Sequence, residues 1–77
     1  MDFRAEHQFP LAASSRFVWK KQHTYTMYEN DSITISGDGR KLVISHLIES
    51  DTALYSSEVQ TTGGLEITQY WLVVQGG

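Results

Sequence analysis

The chain has 77 residues, a hydrophobic content of 40% and a formal net charge of −3, which together are typical of one small globular domain. Its six basic residues form no cluster larger than the pairs at 20–21 and 40–41, so no nucleic-acid partner is expected. The absence of cysteine excludes disulfides and thiolate metal ligands, and without an apolar run of roughly 20 residues no membrane insertion of this segment is expected.

The first 15 residues carry a weak pattern. "DFRAEHQ" predicts a short strand with Phe3, Ala5 and His7 on one face, and "FPLAASS" holds the only proline and is typical of a loop. Residues 1–15 are therefore expected to be irregular, or to be the remnant of one strand and the loop that follows it.

Strand patterns dominate from residue 16 onward. "RFVWKKQ" puts Phe17 and Trp19 on one face, and "SITIS" and "KLVIS" alternate on either side of the turn sequence "GDGR". Residues 32–45 therefore predict a hairpin in which Leu42 and Ile44 share a face.

The second half of the chain predicts another hairpin. "ALYSSEVQ" alternates, "TTGG" is a turn, and "LEITQYWLVVQ" closes the chain as a long strand. If Tyr55 and Val59 point inward, then Leu54, Trp71 and Val73 point outward. A slip of the last strand by one residue would instead bury Trp71. Two such hairpins indicate an antiparallel all-β sandwich or barrel.

The segment "LVISHLIESDTALYSSEV" (residues 42–59) resembles an immunoglobulin-like domain of the I-set type, in which such a run follows a core tryptophan. The matching residues are Trp19, Gly39, Leu42, Ile44, Leu47, Asp51, Ala53 and Tyr55. The resemblance implies an immunoglobulin-like sandwich with strands C to G in residues 16–75 of a single domain, 1–77.

The resemblance also implies a structural core. Its expected members are Phe17, Trp19, Leu42, Ile44, Leu47, Asp51, Tyr55, Ser57 and Val59. Trp19 would fill the space between the sheets, and Leu47 would close one end. The Tyr55 hydroxyl would bond to backbone at the preceding corner, an arrangement called a tyrosine corner. Asp51 would accept hydrogen bonds from turn amides or from a nearby cation.

The chain departs from the family pattern in two ways. Ser57 stands where the family carries its second cysteine, and Phe3 in "FRAE" stands where the first would lie. A full domain also has about 100 residues, so strand A and the beginning of strand B are expected to be missing. The sheets would then be incomplete, as in an engineered fragment whose cysteines have been replaced.

No catalytic, cofactor or metal site is predicted. The three histidines are scattered, no nucleophile motif occurs, and the glycine pairs are typical of turns. Asn30 begins an Asn-x-Ser triplet and is a candidate glycosylation site. The chain is therefore not expected to be an enzyme.

Two functions remain open. The first is a non-catalytic protein-binding module of a cell-surface receptor or adhesion protein, which is extracellular as part of a longer parent. It would bind through loops or the outer C-F-G face, where Leu54, Trp71 and Val73 would recruit a protein partner or self-associate. The second is a structural domain of an intracellular, muscle-type filament or scaffold protein, because such domains commonly lack the disulfide.

Overall fold

Over the residues that the structure describes, the chain is an antiparallel β-sandwich of seven strands and one 3₁₀ turn. The computed structural model describes residues 1–36 and 39–75. The strands are β1 (Asp2–Arg4), β2 (Val18–Lys21), β3 (Tyr25–Thr26), β4 (Ile33–Ser36), β5 (Lys41–Ile44), β6 (Ala53–Thr61) and β7 (Gly64–Leu72), and the 3₁₀ turn spans Glu49–Asp51. The described residues contain no helix long and apolar enough to cross a membrane.

The strands form two antiparallel sheets that pack against each other. One sheet has three strands in the order β1-β5-β4, and the other has four in the order β3-β2-β6-β7. The hairpin expected over residues 32–45 is β4 and β5, with Ile35 opposite Leu42. Residues 37 and 38 of its expected turn lie outside the described residues.

Glycine shapes the turn between β6 and β7. Gly64 has a φ of +119°, a conformation that is costly for residues with a Cβ. A Cβ on Gly63 would lie 2.4 Å from the ring of Phe9. The "TTGG" sequence therefore both reverses the chain and gives Phe9 a surface to pack on.

Trp19 lies at the centre of the core with only 1% of its surface exposed. Its indole Nε1 donates a 2.6 Å hydrogen bond to the carbonyl oxygen of Gly39. Gly39 has a φ of +90°, and a Cβ there would lie 2.8 Å from the Phe17 carbonyl oxygen. Glycine is therefore needed at residue 39, beside the indole.

Most of the residues expected in the core are buried. They are Phe17, Trp19, Leu42, Ile44, Tyr55, Ser57 and Val59. Leu47 and Asp51 differ, because both are only half-buried. Leu47 packs against the core from its margin. The Asp51 carboxylate stays near solvent, where it accepts a 2.9 Å hydrogen bond from the amide of Ile48.

Tyr55 is tied to the same turn. Its hydroxyl donates a 2.6 Å hydrogen bond to the carbonyl oxygen of Asp51, four residues earlier, which is the geometry expected of a tyrosine corner. Burial, and secondarily the charge of Asp51, raises the pKa of the Tyr55 phenol. The hydrogen bond at this corner therefore requires the neutral phenol, which still carries its O–H donor.

An aromatic cluster lies around Phe3. The Phe3 ring packs against Trp19, Tyr55 and Tyr70, with ring centroids 6.2, 5.6 and 5.1 Å away. Burial and then Glu6 raise the pKa of Tyr70, and a hydrogen bond from the Ser57 side chain acts in the opposite direction. Phe3 and Ser57, which stand where the resemblance places the family's two cysteines, are thus linked to this cluster and to Tyr70.

The first 15 residues contain one short strand, and the segment that follows it also makes backbone contacts. β1 pairs with β5, with Phe3 opposite Leu42. Further along, Ala12 donates to the carbonyl oxygen of Gln60, and Thr62 donates to that of Pro10. Residues 1–12 are therefore attached first to one sheet and then to the other.

The buried phenol of Tyr55 and the half-buried phenol of Tyr70 predict a loss of stability at alkaline pH. An unfolded tyrosine has a pKa of about 10, and the pKa values of Tyr55 and Tyr70 are higher in the fold. The stabilisation that the two neutral phenols provide is therefore complete below pH 10. It is lost as the pH rises through their pKa values in the folded chain. Tyr55→Phe should lower the free energy of unfolding at pH 7 by about 1 kcal/mol and make the alkaline loss shallower. Urea titrations across pH measure both, and equal alkaline slopes for parent and variant would contradict the account.

Candidate functional site

The candidate site is the outer face of the four-stranded sheet, which is the face turned away from the three-stranded sheet. Leu54 on β6 lies directly opposite Trp71 on β7. Trp71 is 67% exposed and Leu72 only 3%, so Trp71 points outward and Leu72 into the core. Leu54 is half-buried, and Val73, just after the strand, is exposed.

The exposed apolar surface extends further along β7 than the three residues expected from the sequence. Leu65 and Ile67 are 57% and 52% exposed and share the outer face with Trp71, because strand side chains alternate. We call Leu65, Ile67, Trp71 and Val73 the outer row. The alternation of outward and inward residues in "LEITQYWLV" was enough to predict Leu65 and Ile67 as further members of the row.

Large apolar side chains in one row favour a contact surface. Single exposed apolar residues are ordinary in soluble proteins, but contiguous ones mark interaction sites. Trp71 also belongs to the residue type most enriched among binding hot spots.

The turn between β2 and β3 reaches over this face. Gln22 and His23 have φ values of +54° and +62°, which for residues other than glycine cost about 1–3 kcal/mol each. The His23 ring lies 3.5 Å from the side-chain nitrogen of Gln69, the outward residue between Ile67 and Trp71. This strained turn therefore borders the outer row with a polar ring.

Polar groups occupy the middle of the outer face. Lys20 on β2 forms a 3.3 Å ion pair with Glu58 on β6. Ser56, opposite both Lys20 and Gln69, is buried. Within the part of the chain that the structure describes, its hydroxyl has no hydrogen-bond partner. The face thus combines an apolar margin on β7 with a charged and polar centre.

Asn30 lies away from this face, at the start of the turn leading into β4. It is exposed, and its side-chain oxygen accepts hydrogen bonds from the amides of Ser32 and Ile33 at 2.8 and 3.0 Å. These bonds fix the side chain in an Asx turn. The oxygen is therefore engaged, and the residue that would carry a glycan lies on the surface.

The histidines do not come together as a metal or catalytic centre. Within residues 1–36 and 39–75, no group of three or more histidines and carboxylates is placed to hold a metal ion. His7 lies beside Glu6 and Glu66 in an open groove of about 350 Å³, and its ring Nδ1 contacts the Phe9 carbonyl oxygen. That groove places no serine beside the histidine.

Comparisons of the chain with protein-family models, curated proteins and solved structures found no match.

The outward orientation of Trp71 predicts that charge is tolerated at this position. Trp71→Lys should change the free energy of unfolding by no more than about 0.5 kcal/mol, as expected for a surface position. Leu72→Lys is the matched control and should abolish folding, because it places a charge in the core. Thermal and urea unfolding measure both, and a collapse of Trp71→Lys would show that the strand is in the other register.

Proposed function

We propose that this chain is a non-catalytic, immunoglobulin-like protein-binding module of a cell-surface receptor or adhesion protein. It binds its partner through the outer face of the β3-β2-β6-β7 sheet. The observation that carries the proposal is Trp71, which stands 67% exposed at the end of β7, beside Leu54 and Val73.

The strand order supports the immunoglobulin-like part of the proposal. The neighbours β1-β5-β4 and β3-β2-β6-β7 correspond to strands B-E-D and C′-C-F-G of an immunoglobulin sandwich. The Tyr55 hydroxyl bond to the Asp51 carbonyl oxygen and the burial of Trp19 fit the same arrangement.

The shape and chemistry of the outer face support binding to a folded protein. The row on β7 supplies apolar anchors along one margin of the face, while Lys20, Glu58 and His23 supply polar groups beside them. Interfaces commonly combine apolar anchors that include aromatic residues with polar groups. The strained Gln22–His23 turn also supports a functional role, because backbone strain concentrates at functional sites.

The second candidate is a structural domain of an intracellular, muscle-type filament or scaffold protein. The observation that favours it is the cysteine-free core, in which Phe3 and Ser57 are both buried and stand where the resemblance implies the family's two cysteines. A glycan on Asn30 in the native host would decide for the extracellular module, and a cytosolic parent with tandem copies would decide for the filament domain.

The binding role is tested by screening the chain against two panels, one of extracellular receptor domains and one of intracellular filament proteins. A partner from the first panel should lose at least about tenfold in affinity with Trp71→Lys, as expected for a hot-spot residue. Tyr25→Lys is the matched control, because Tyr25 is equally an exposed aromatic residue but lies on β3, at the opposite edge of the sheet.

Binding that survives Trp71→Lys, or that is lost equally with Tyr25→Lys, would contradict the outer row as the binding surface. Partners found only in the intracellular panel would favour the second candidate.

A further inference from the structure

β7 is an unusually long open edge for so small a sandwich. It has nine residues and ends the four-stranded sheet, whereas the other edge strands β1, β3 and β4 have three, two and four. Natural proteins usually protect long edges with proline, lysine or bulges. β7 contains no proline or lysine, its pairing with β6 is continuous, and its only charged residue is Glu66.

The hydrogen-bond pattern identifies the residues that face the open edge. The Gln22 amide donates a 2.7 Å bond to the Leu54 carbonyl oxygen, so the even-numbered residues of β6 bond toward β2. The odd-numbered residues of β6 then bond toward β7, and each lies opposite an even-numbered residue there. Antiparallel pairing alternates in this way. Leu65, Ile67, Gln69 and Trp71 therefore direct their N–H and C=O groups away from the sheet.

The N-terminal segment touches β7 without using these backbone groups. The Tyr70 hydroxyl donates to the Arg4 carbonyl oxygen, the Thr68 hydroxyl donates to that of Glu6, and the Glu66 carboxylate accepts from the Gln8 amide. All three contacts come from inward side chains of β7. Among the described residues, no backbone bond reaches the outer edge of β7.

We propose that β7 pairs antiparallel with β7 of a second copy of this chain, about a two-fold axis at Thr68. Two four-stranded sheets would then join into one sheet of eight strands across the dimer. This homodimer is independent of the immunoglobulin resemblance and of the heterologous partner proposed above.

The alternation of the backbone bonds restricts the register. Only residues that face the open edge can bond across it, so each odd-numbered residue must lie opposite another odd-numbered residue. An axis at Thr68 satisfies this condition and also overlaps all nine residues from Gly64 to Leu72. It places Leu65 opposite Trp71 of the copy and Ile67 opposite Gln69 of the copy. These pairs recur on both sides of the axis and would form roughly eight backbone bonds.

The side chains fit this pairing on the outer face. Trp71 and Leu65 are both more than half exposed in one copy, and each would cover the other across the axis. Cross-strand pairs between aromatic and aliphatic residues stabilise sheets by about 0.2–1 kcal/mol each. The outer row of one copy would thus continue into that of the other.

Charge on β7 opposes a second copy as the occupant only weakly. Glu66 would lie opposite Tyr70 of the copy, and the two Glu66 residues would stand four positions apart along the strand, about 13 Å at the usual rise. That distance exceeds the Debye length of about 8 Å at physiological salt. The single charge of β7 therefore opposes self-pairing little, although each copy carries a net charge of −3.

The dimer is tested first by sedimentation and by amide hydrogen exchange over a range of concentrations. Sedimentation should show a monomer–dimer equilibrium. The amides of Leu65, Ile67, Gln69 and Trp71 should become at least about tenfold more protected at high concentration, while those of Glu66, Thr68 and Tyr70 are protected throughout. A monomer at every concentration, or association without new protection at the odd-numbered residues, would overturn the proposal.

Two variants test the same edge in different ways. Gln69→Pro removes an amide that bonds nothing within the chain, and Ile67→Lys adds the charge that commonly guards edge strands. Each should weaken association at least about tenfold, whereas Tyr25→Lys, with the same charge change on β3, should not.

If Gln69→Pro does not fold, Ile67→Lys decides alone. Association that survives Ile67→Lys, or is lost with Tyr25→Lys, would overturn the proposal. Gln69→Pro leaves all four side chains of the outer row in place, so binding of a heterologous partner is scored separately with this variant.

Discussion

The fold depends on the burial of the Trp19 indole between the two sheets. The side chain is 1% exposed, and its only N–H group donates to the Gly39 carbonyl oxygen. The polar group of the indole is therefore hydrogen-bonded where water is excluded. An indole can bury about 150–250 Å², a large share of the core that such a small chain can build. Gly39 is coupled to this arrangement, because its positive φ and its close approach to Phe17 leave no room for a side chain.

The aromatic cluster explains how a sandwich of this kind is held together without a disulfide. Losing such a bridge typically costs a small domain about 2–5 kcal/mol. Here Phe3 packs against three rings, and Tyr70 connects β7 to the last residue of β1 through the Arg4 carbonyl oxygen. Side-chain packing and hydrogen bonds thus link the sheets near Ser57, where the sequence suggested that a sulfur was missing.

Much of the architecture could be predicted because strand periodicity is local. The alternation in "KLVIS", "ALYSSEVQ" and "LEITQYWLV" predicted the hairpins and the sandwich. β1 was harder, since a three-residue strand carries little pattern and its partner strand lies about 40 residues away. The contacts of residues 4–8 were harder still, since their partners on β7 lie about 60 residues away. The strained turn at Gln22 and His23 also escaped prediction, because left-handed residues are normally signalled by glycine or asparagine. The outer row was only partly identified, although its alternation was visible in the sequence.

The central claim, one indole enclosed by two β layers, is tested most directly by the fluorescence of Trp19 alone. Trp71→Phe removes the other tryptophan at an exposed position and leaves a single emitter. Emission should be blue-shifted and resist quenching by iodide or acrylamide until urea unfolds the chain. Red-shifted emission in the folded state, quenched as readily as that of the unfolded chain, would place the indole in water and contradict the architecture described.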